Sequence, residues 1–316
     1  MVFEVKKPGM FTTVQDLGRP CYLRYGVPVS GAMDSFSLVA ANSLVKNELG
    51  EACLETTLIG PELQASSETQ IAITGGNAHP KINDRPVPMW ETLEMHVGDV
   101  ISFGRMESGC RSYLSVRGGI NTAKVLGSRS TFTRGGFGGI DGRRLRSGDI
   151  IETVETMMLR VKYSMPEKLR PLFNGHFQVQ VVLGPQADMF AEKGLNTFLS
   201  SPYKITSEAD RMGYRLDGPS IEHVGKADIV SDALLPGAIQ VPKDGKPILI
   251  MKDAQTTGGY PKVAVAITPD ISNLGQARTN DSVEFCKTTV REAQEKTRKH
   301  CSMLNNLSSL LEESGS

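Results

Sequence analysis

The chain lacks an excess of charge of either sign, and it lacks long apolar runs. Its 316 residues carry 35 basic and 35 acidic side chains, with no long block of one sign. Because a basic stripe is the usual footprint of nucleic-acid binding, that function is disfavoured. No apolar stretch is long enough to cross a bilayer, and no basic segment followed by an apolar region opens the chain. We therefore expect a cytoplasmic protein with no secretory signal and no nucleic-acid or membrane contacts.

Cysteine and histidine are few and scattered. The five cysteines form no CxxC pair, which favours reduced thiols in a cytoplasmic protein over a disulfide framework. Among them, Cys286 ends a strand-like run and is interpreted as a small core residue. The five histidines show neither HxH nor HExxH spacing, so no metal site is predicted. No GxSxG sequence occurs, which weakens a serine-hydrolase interpretation.

The usual nucleotide-binding motifs are also missing. No GxxxxGK(S/T) sequence occurs, and the glycine- and arginine-rich stretch 127–146 departs from GxGxxG because Asp141 stands where the third glycine should be. This stretch contains Arg129 and Arg134, which we predict as contacts for a phosphate-bearing cofactor. The alternative is a long solvated loop that joins strands.

The stretch 236–262 has the clearest local pattern. Two apolar runs flank Asp244 and Gly245, and Asp-Gly between β-forming residues favours a hairpin because glycine tolerates a positive φ. A polar loop, 252–261, follows the second run and precedes a third. Its amide and hydroxyl groups offer donors and acceptors without an obligatory charge, and its two adjacent glycines permit a close approach of backbone or ligand. We interpret the loop as a site for a small polar ligand; the alternative is an ordinary turn rich in glycine and threonine.

Two further polar clusters are candidates for binding or catalysis. In the cluster at 207–216, the guanidinium of Arg211 suits a substrate carboxylate or phosphate, and Asp210 would orient that arginine or act as a base. An exposed ion pair is the alternative for these neighbours. In the cluster at 29–34, Ser30 and Asp34 precede a predicted helix, and Asp34 suits capping of that helix as well as ligand binding.

Short β-type runs separated by turns dominate the chain, so the predicted fold class is mainly β, a β-rich α+β protein. We predict two domains of mixed sheets, 1–170 and 171–288, joined by a linker-like segment at 165–175 that contains proline and glycine. Residues 289–316 follow as a separate segment. Apolar residues recur there at helical spacing, which predicts one amphipathic helix, and 308–316 is expected to fray.

Several blocks in fixed order resemble one protein family. They are TTVQDLGR at 12–19, GVPVSGAMD at 26–34, LETTLIGPEL at 54–63, SEADRMGYRLDGP at 207–219, and PGAIQVPKDGKPI with DAQTTGGYPK between 236 and 262. By these blocks the chain resembles the biotin-dependent carboxyltransferase family (allophanate hydrolase subunit 2-like). That family includes the C subunit of bacterial 5-oxoprolinase, the antagonist of a sporulation-kinase inhibitor, and part of the carboxyltransferase domain of urea carboxylase. The resemblance implies a mainly β architecture in which the domain 171–288 is a cyclophilin-like β-barrel. The sequence departs from the family pattern at Ala254, where a larger polar residue is usual.

The resemblance also implies a function. In the first interpretation the chain is the C subunit of an ATP-dependent 5-oxoprolinase complex that, with the B and A subunits, opens 5-oxoproline to L-glutamate. One alternative is a carboxyltransferase component that acts from carboxybiotin on a urea-like amide. Since the chain has no biotin-accepting Met-Lys-Met sequence, another protein would carry that biotin. The other alternative is a non-catalytic antagonist of a histidine-kinase inhibitor. ATP is thus the expected cofactor, and biotin is expected only under the first alternative.

Residue type and block membership together suggest the roles of single residues. Gln240 and Gln255 would satisfy the N–H and C=O edges of a cyclic amide. After ATP activates the carbonyl oxygen, fixed cations would offset developing negative charge and a carboxylate would accept a proton. The predicted catalytic residues are Asp253, Lys252 and Asp210. The predicted substrate-binding residues are Gln240, Gln255, Thr256, Thr257, Arg211, Tyr260, Ser30 and Asp34.

Overall fold

The computed structural model describes residues 2–154 and 157–314, which form two compact units. The first unit comprises Met1–Arg19, Ser30–Phe173 and Ser302–Ser316, and the second comprises Pro20–Val29 and Asn174–Cys301. Each unit therefore gathers separate stretches of chain, whereas the predicted domains 1–170, 171–288 and 289–316 are continuous; those boundaries stay a prediction. Within the described residues, no helix combines the length and the apolar character needed to cross a membrane.

Among the described residues, strands outnumber helices. The first unit contains β1 Phe3–Lys7, β2 Phe11–Gln15, β3 Cys53–Thr57, β4 Glu62–Ala65, β5 Thr69–Asn77, β6 Lys81–Ile82, β7 Arg85–Pro86, β8 Thr92–Met95, β9 Val100–Ser102, β10 Ser108–Val116, β11 Ile150–Ile151 and β12 Lys162–Ser164. The second contains β13 His176–Leu183, β14 Tyr203–Ile205, β15 Gly213–Asp217, β16 Asp232–Ala233, β17 Ala238–Gln240, β18 Ile248–Ile250, β19 Thr257–Gly258, β20 Lys262–Ala266 and β21 Ser282–Lys287, and β22 Glu312–Ser314 returns to the first. The α-helices are α1 Ser35–Leu44, α2 Glu192–Ser200, α3 Thr268–Leu274 and α4 Val290–Asn305.

Two larger antiparallel sheets, besides the two-stranded pairing of β12 with β22, form the described part of the first unit. Their strand orders are β11-β1-β4-β9-β6-β7 and β2-β3-β10-β5-β8. Strand β10 contributes to two cores because successive side chains of a strand point to opposite faces. Leu114 and Val116 join the core shared by the two sheets, whereas Tyr113 joins a second core beneath α1. Both faces of this central strand are thus buried.

A closed barrel forms the second unit, in the order β13-β20-β17-β18-β15-β14-β21. Its strand pairs are antiparallel except β13 with β21. Alternate residues of β13 and β21 are buried, and the ring of Phe285 stacks on Phe198 of α2 with centroids 4.6 Å apart. Cys286, interpreted as a core residue, is instead exposed, because its neighbour Phe285 takes the inward position. The predicted mainly β class with a barrel is confirmed.

The C-terminal segment is helical, as its spacing predicted, but its end is not frayed where the structure describes it. After α4, Leu307 is fully buried in the core beneath α1, and β22 pairs with β12. The expectation of fraying is therefore wrong for 308–314, because one buried leucine and a strand pairing hold the segment. Residues 315 and 316 lie outside the described part.

Candidate functional site

The polar loop at 252–261, called here the Gln255 loop, leaves the barrel at the end of β18 and returns to it at β20. Strands β17 and β18 pair antiparallel, and Gly245 in the turn between them has φ +75°, so the predicted Asp-Gly hairpin is confirmed. Strand β17 also pairs with β20. The loop therefore connects β18 and β20, the two strands that pair with β17.

A buried ion pair holds the start of the Gln255 loop. Arg211 donates Nε to Oδ2 of Asp253 at 2.8 Å and Nη2 to Oδ1 at 3.2 Å. Both side chains are less than a tenth exposed, and the backbone N–H of Asp253 donates to the carbonyl of Arg211 at 2.8 Å. Two-point pairing of this kind fixes the relative position of two segments. The clusters at 207–216 and 252–261, remote in sequence, are thereby brought together.

A second ion pair holds the other end of the loop. Lys262, at the start of β20, is buried, and its ammonium donates to the carboxylate of Asp232 and to the carbonyl of Ala233, the latter at 3.0 Å. Its hydrogen bond to the ammonium holds the pKa of the Asp232 carboxyl below its usual range. Asp232 and Ala233 form β16, which pairs with β19 inside the loop. Both ends of the loop are thus tied by buried ion pairs, so the base of the loop is charged.

Gln240 lies directly behind the loop. It is buried at the end of β17, and its Nε2 donates to the carbonyl oxygen of Tyr260 at 3.1 Å. A Cβ added to Gly258 would lie 2.6 Å from the same nitrogen and 2.8 Å from Cδ1 of Leu234, so a side chain here would displace the ends of Gln240 and Leu234. At Gly259 the nearest atom would be 3.6 Å away, an ordinary contact. Of the two adjacent glycines, Gly258 is therefore the one that the close approach requires.

The outer part of the loop faces solvent. Gln255 and Thr257 are exposed, Tyr260 is 41% exposed, and Thr256 and Lys252 are half-buried. Gln255 and Gln240 thus lie in different environments, one at the surface and one behind the loop. The arrangement is a rigidly anchored base that presents an amide, hydroxyls and a phenol outward.

Asp210 is exposed and serves the turn that precedes β15. Its Oδ1 accepts from the N–H of Met212 at 2.7 Å and of Gly213 at 3.2 Å. Asp253 is a partner that orients Arg211. The catalytic roles predicted for Asp210, Asp253 and Lys252 stay predictions.

Ser30 and Asp34 belong to the first unit. Asp34 caps α1, since its Oδ1 accepts from the N–H of Ser37 at 3.1 Å and its Oδ2 from the Ser37 hydroxyl at 2.6 Å. Ser30 is fully buried with φ +53°, and within the described residues its hydroxyl has no hydrogen-bond partner. The capping alternative for Asp34 is therefore realised, whereas a ligand contact at Ser30 stays a prediction.

A buried polar network of the first unit contacts the backbone of Met33 and Asp34, just before α1. Glu55 accepts from the Tyr113 hydroxyl at 2.7 Å and from the N–H of Met33 at 2.8 Å, and Arg111 lies 3.7 Å away. Burial, with the Glu55 carboxylate as the second cause, raises the pKa of the Tyr113 hydroxyl well above its ordinary value. The network fixes the backbone at Met33 and Asp34, directly before α1.

The predicted cofactor contacts, Arg129 and Arg134, differ in their surroundings. The N–H of Arg129 donates to Oδ2 of Asp16 at 2.6 Å, and its guanidinium donates to the carbonyl of Thr122. The negative charge of the Asp16 carboxylate repels a phosphate, so the residues around Arg129 do not fit a phosphate-binding site. Arg134 is exposed in the glycine-rich turn. Within the described residues, no cluster of three or more metal-ligating side chains occurs.

Sequence reasoning gave no role to Lys262, Asp232 or Gln186. Gln186 accepts from the N–H of Lys262 at 3.2 Å through Oε1, so it joins the anchor at the end of the loop. The signal available for Lys262 was its place directly after GGYP, where a lysine opens a buried strand. Asp232 lies in an irregular stretch, and nothing in its sequence context predicts the pairing.

A family model of the carboxyltransferase domain, subdomains A and B, matches residues 25–287. This range is well over half of the chain. The chain belongs to the carboxyltransferase A and B family. The predicted family is confirmed, and the Gln255 loop with both of its anchors lies within the matched range, whereas α4 lies outside it.

Relatives of this carboxyltransferase-family chain include both separate subunits and parts of longer proteins. The C subunit of the Escherichia coli 5-oxoprolinase is 34% identical over 292 residues, which are 92% of this chain and 93% of that protein. The C subunit of the Haemophilus influenzae 5-oxoprolinase is 32% identical over 302 residues, 95% of this chain and 96% of that protein. The crystal structure of the Kluyveromyces lactis urea amidolyase matches with a TM-score of 0.90 and 33% identity over 96% of this chain, but over only 20% of that longer chain.

Proposed function

We propose that this chain is the C subunit of a cytoplasmic 5-oxoprolinase that, with the B and A subunits, opens 5-oxoproline to L-glutamate at the expense of ATP. The observation that carries the proposal is the end-to-end likeness to two 5-oxoprolinase C subunits, which aligns at least 92% of this chain with at least 93% of each. Both of these relatives are single subunits of an enzyme, which supports a multi-subunit assembly. The likeness to urea amidolyase, in contrast, covers a fifth of that protein.

The Gln255 loop is the proposed contact for the cyclic amide. A lactam offers N–H and C=O edges side by side, and the side chains of Gln255, Thr256 and Thr257 supply matching acceptors and donors. Gln240 supports the loop from behind, because its side-chain amide donates a hydrogen bond to the backbone carbonyl of Tyr260. Because the outer residues are exposed, a second protein of the complex is needed to cover the loop and exclude water during the reaction.

The chemistry requires activation of a poor electrophile. Phosphorylation of the lactam oxygen by ATP, with release of ADP, makes the ring carbon electrophilic. Water then adds to that carbon, and the C–N bond breaks as the ring nitrogen gains a proton, which leaves a γ-glutamyl phosphate. A second water hydrolyses this acyl phosphate to glutamate and inorganic phosphate. Arg211 and Lys262 are each paired with a carboxylate, so Lys252 in the loop is the proposed cation that offsets developing negative charge. Asp253 reaches a substrate proton only if its pair with Arg211 opens, since that guanidinium bonds both of its oxygens.

The test is reconstitution with the B and A subunits, ATP and 5-oxoproline, with glutamate measured. We expect ATP-dependent glutamate formation by the complete complex, and a decrease on the order of tenfold for Gln255→Ala from the loss of one substrate hydrogen bond. Gln178→Ala is the matched control, because Gln178 is an exposed glutamine on β13. Both variants should melt like the wild type, since neither side chain is buried.

The outcomes separate the function from the site. No ATP-dependent glutamate from the wild-type complex contradicts the proposed function. Glutamate formation by the wild type with near-normal turnover of Gln255→Ala leaves the function standing but removes the loop as the substrate contact.

A second candidate is a carboxyltransferase component that acts from carboxybiotin on a urea-like amide. The observation that favours it is the TM-score of 0.90 to the Kluyveromyces lactis urea amidolyase over 96% of this chain. Carboxyl transfer from carboxybiotin to urea by the complex, in the absence of 5-oxoproline and ATP, would select this candidate over the first.

A further inference from the structure

A cavity of about 740 Å³ opens in the first unit, between the β6–β7 hairpin and the segment that ends at Phe173. We call it the Trp90 cavity, after one of its lining residues. Its volume lies within the range of small-molecule sites, roughly 300–1,000 Å³. None of its lining residues belongs to the Gln255 loop or to the anchors of that loop. An inference about this cavity is therefore independent of the proposed function.

Most of the cavity wall is apolar and rigid. Trp90, Met89 and Phe173 supply the large apolar surfaces, and Pro80 and Pro88 stand among them. Proline has a fixed φ, so a wall built with it loses little conformational freedom when a ligand binds. Flat aromatic surfaces at these positions suit a flat apolar ligand.

The backbone at Trp90 is held in an unusual conformation. Its φ is +67°, a left-handed value that is uncommon for a bulky aromatic residue. Two hydrogen bonds keep it there: the N–H of Trp90 donates to the carbonyl of Ile73 at 2.7 Å, and the N–H of Met165 donates to the carbonyl of Trp90 at 2.9 Å. Such outliers persist only where the surroundings over-determine them, and they cluster at ligand sites. The backbone of this lining residue is thereby held in place.

The charged residues that line the cavity are all basic. They are Lys81, Arg170 and, when protonated, His79. Arg170 is positioned by its Nε, which donates to the carbonyl of Met165 at 2.8 Å. Lys81 is exposed on β6 and, across the described residues, its ammonium makes no ion pair or hydrogen bond. Among the described residues, the carboxylate that pairs with the lining is that of Glu107, 3.0 Å from Nε2 of His79. Two lining cations beside an apolar wall favour an anion.

We propose that the Trp90 cavity binds a small organic anion with a flat apolar body, of the aromatic carboxylate class. The apolar body lies against Trp90 and Phe173, and the carboxylate faces Lys81 and Arg170. The rigid walls provide shape, and the two cations provide orientation and selectivity for charge.

Trp90 is the single tryptophan of the chain and lines the cavity, so its fluorescence reports binding there. The experiment titrates the full chain with naphthoate as the anionic probe and with neutral naphthamide as its uncharged counterpart, and follows the emission of Trp90. We expect saturable quenching by naphthoate, with an affinity about tenfold or more above that for naphthamide and a weaker affinity at high salt.

Variants locate the charge recognition. Lys81→Gln and Arg170→Gln should each weaken naphthoate binding about three- to tenfold while leaving naphthamide binding unchanged. Arg85→Gln is the matched control, because Arg85 is exposed on the same hairpin but does not line the cavity. The indole N–H resonance of Trp90 gives a second readout and shows that each variant keeps the wild-type environment before probe is added.

Three results would overturn the proposal. One is equal affinity for naphthoate and naphthamide. Another is quenching that rises linearly without saturation while the indole resonance does not shift. The third is naphthoate binding that is unchanged in both cavity variants whose indole resonance is that of the wild type.

Discussion

At the scale of single residues, the pair of Arg211 and Asp253 is the feature on which the Gln255 loop depends most. Two buried charges are costly to remove from water, and their mutual hydrogen bonds offset that cost. Loss of one partner leaves the other charged and buried. The backbone bond between the same two residues couples the pair directly to the conformation of the loop.

We therefore predict that Arg211→Met and Asp253→Asn each lower the free energy of unfolding by about 3–5 kcal/mol. The double variant should lose less than the sum, because it leaves no unpaired buried charge. Urea unfolding followed by circular dichroism measures this cycle.

The neighbouring pair of Arg215 and Glu208 is the matched control, since its side chains are 55% and 70% exposed. Breaking it should cost less than about 1 kcal/mol. Additive losses at Arg211 and Asp253, or losses as small as those of the control pair, would contradict the assigned role of the buried pair.

At the scale of elements, the C-terminal segment is tied to the first unit by one side chain. Leu307 is fully buried with Leu38 and Trp90 in the core beneath α1, and its neighbour Leu310 is 43% exposed. The 3₁₀ turn Leu307–Ser309 and the pairing of β22 with β12 follow from that anchor.

We predict that Leu307→Ala lowers the free energy of unfolding by about 2–5 kcal/mol, because it empties a space in this core. Leu310→Ala should change it by no more than about 0.5 kcal/mol. Trp90 lies in the same core, so its fluorescence during urea unfolding reports the change directly. Equal effects of the two substitutions would show that the segment is not held by Leu307.

At the scale of the whole molecule, the five cysteines fall into two classes. Cys21, Cys286 and Cys301 are exposed, whereas Cys53 and Cys110 are buried. Burial raises the pKa of Cys53 to about 12, so both access and ionisation protect this thiol, since the thiolate is the reactive form.

We predict that a maleimide reagent modifies Cys21, Cys286 and Cys301 in the native protein at neutral pH, and modifies all five thiols only after denaturation. Peptide mass mapping identifies the sites. Rapid native modification of Cys53 would contradict the packing of β3 against α1.

Local patterns in the sequence predicted much of the fold. The Asp-Gly turn, the apolar runs beside it and the helical spacing after 289 each depend on neighbours within a few residues, so the hairpin and α4 were predictable. Cys286 shows the limit of such reasoning. Alternate residues of β21 face inward, and these are Val283 and Phe285. The prediction placed Cys286 in the core, although it follows Phe285 directly and therefore points outward.

The sequence by itself determined the family, the mainly β class and the position of the polar loop, because these depend on residue type and order. Only the tertiary structure decided that the loop is anchored by buried charges, that Asp253 pairs with Arg211, and that Lys262 reaches Asp232. Those pairings join residues 30 to 42 positions apart in the chain. Such contacts are set by how strands close into a barrel, and no local pattern specifies them.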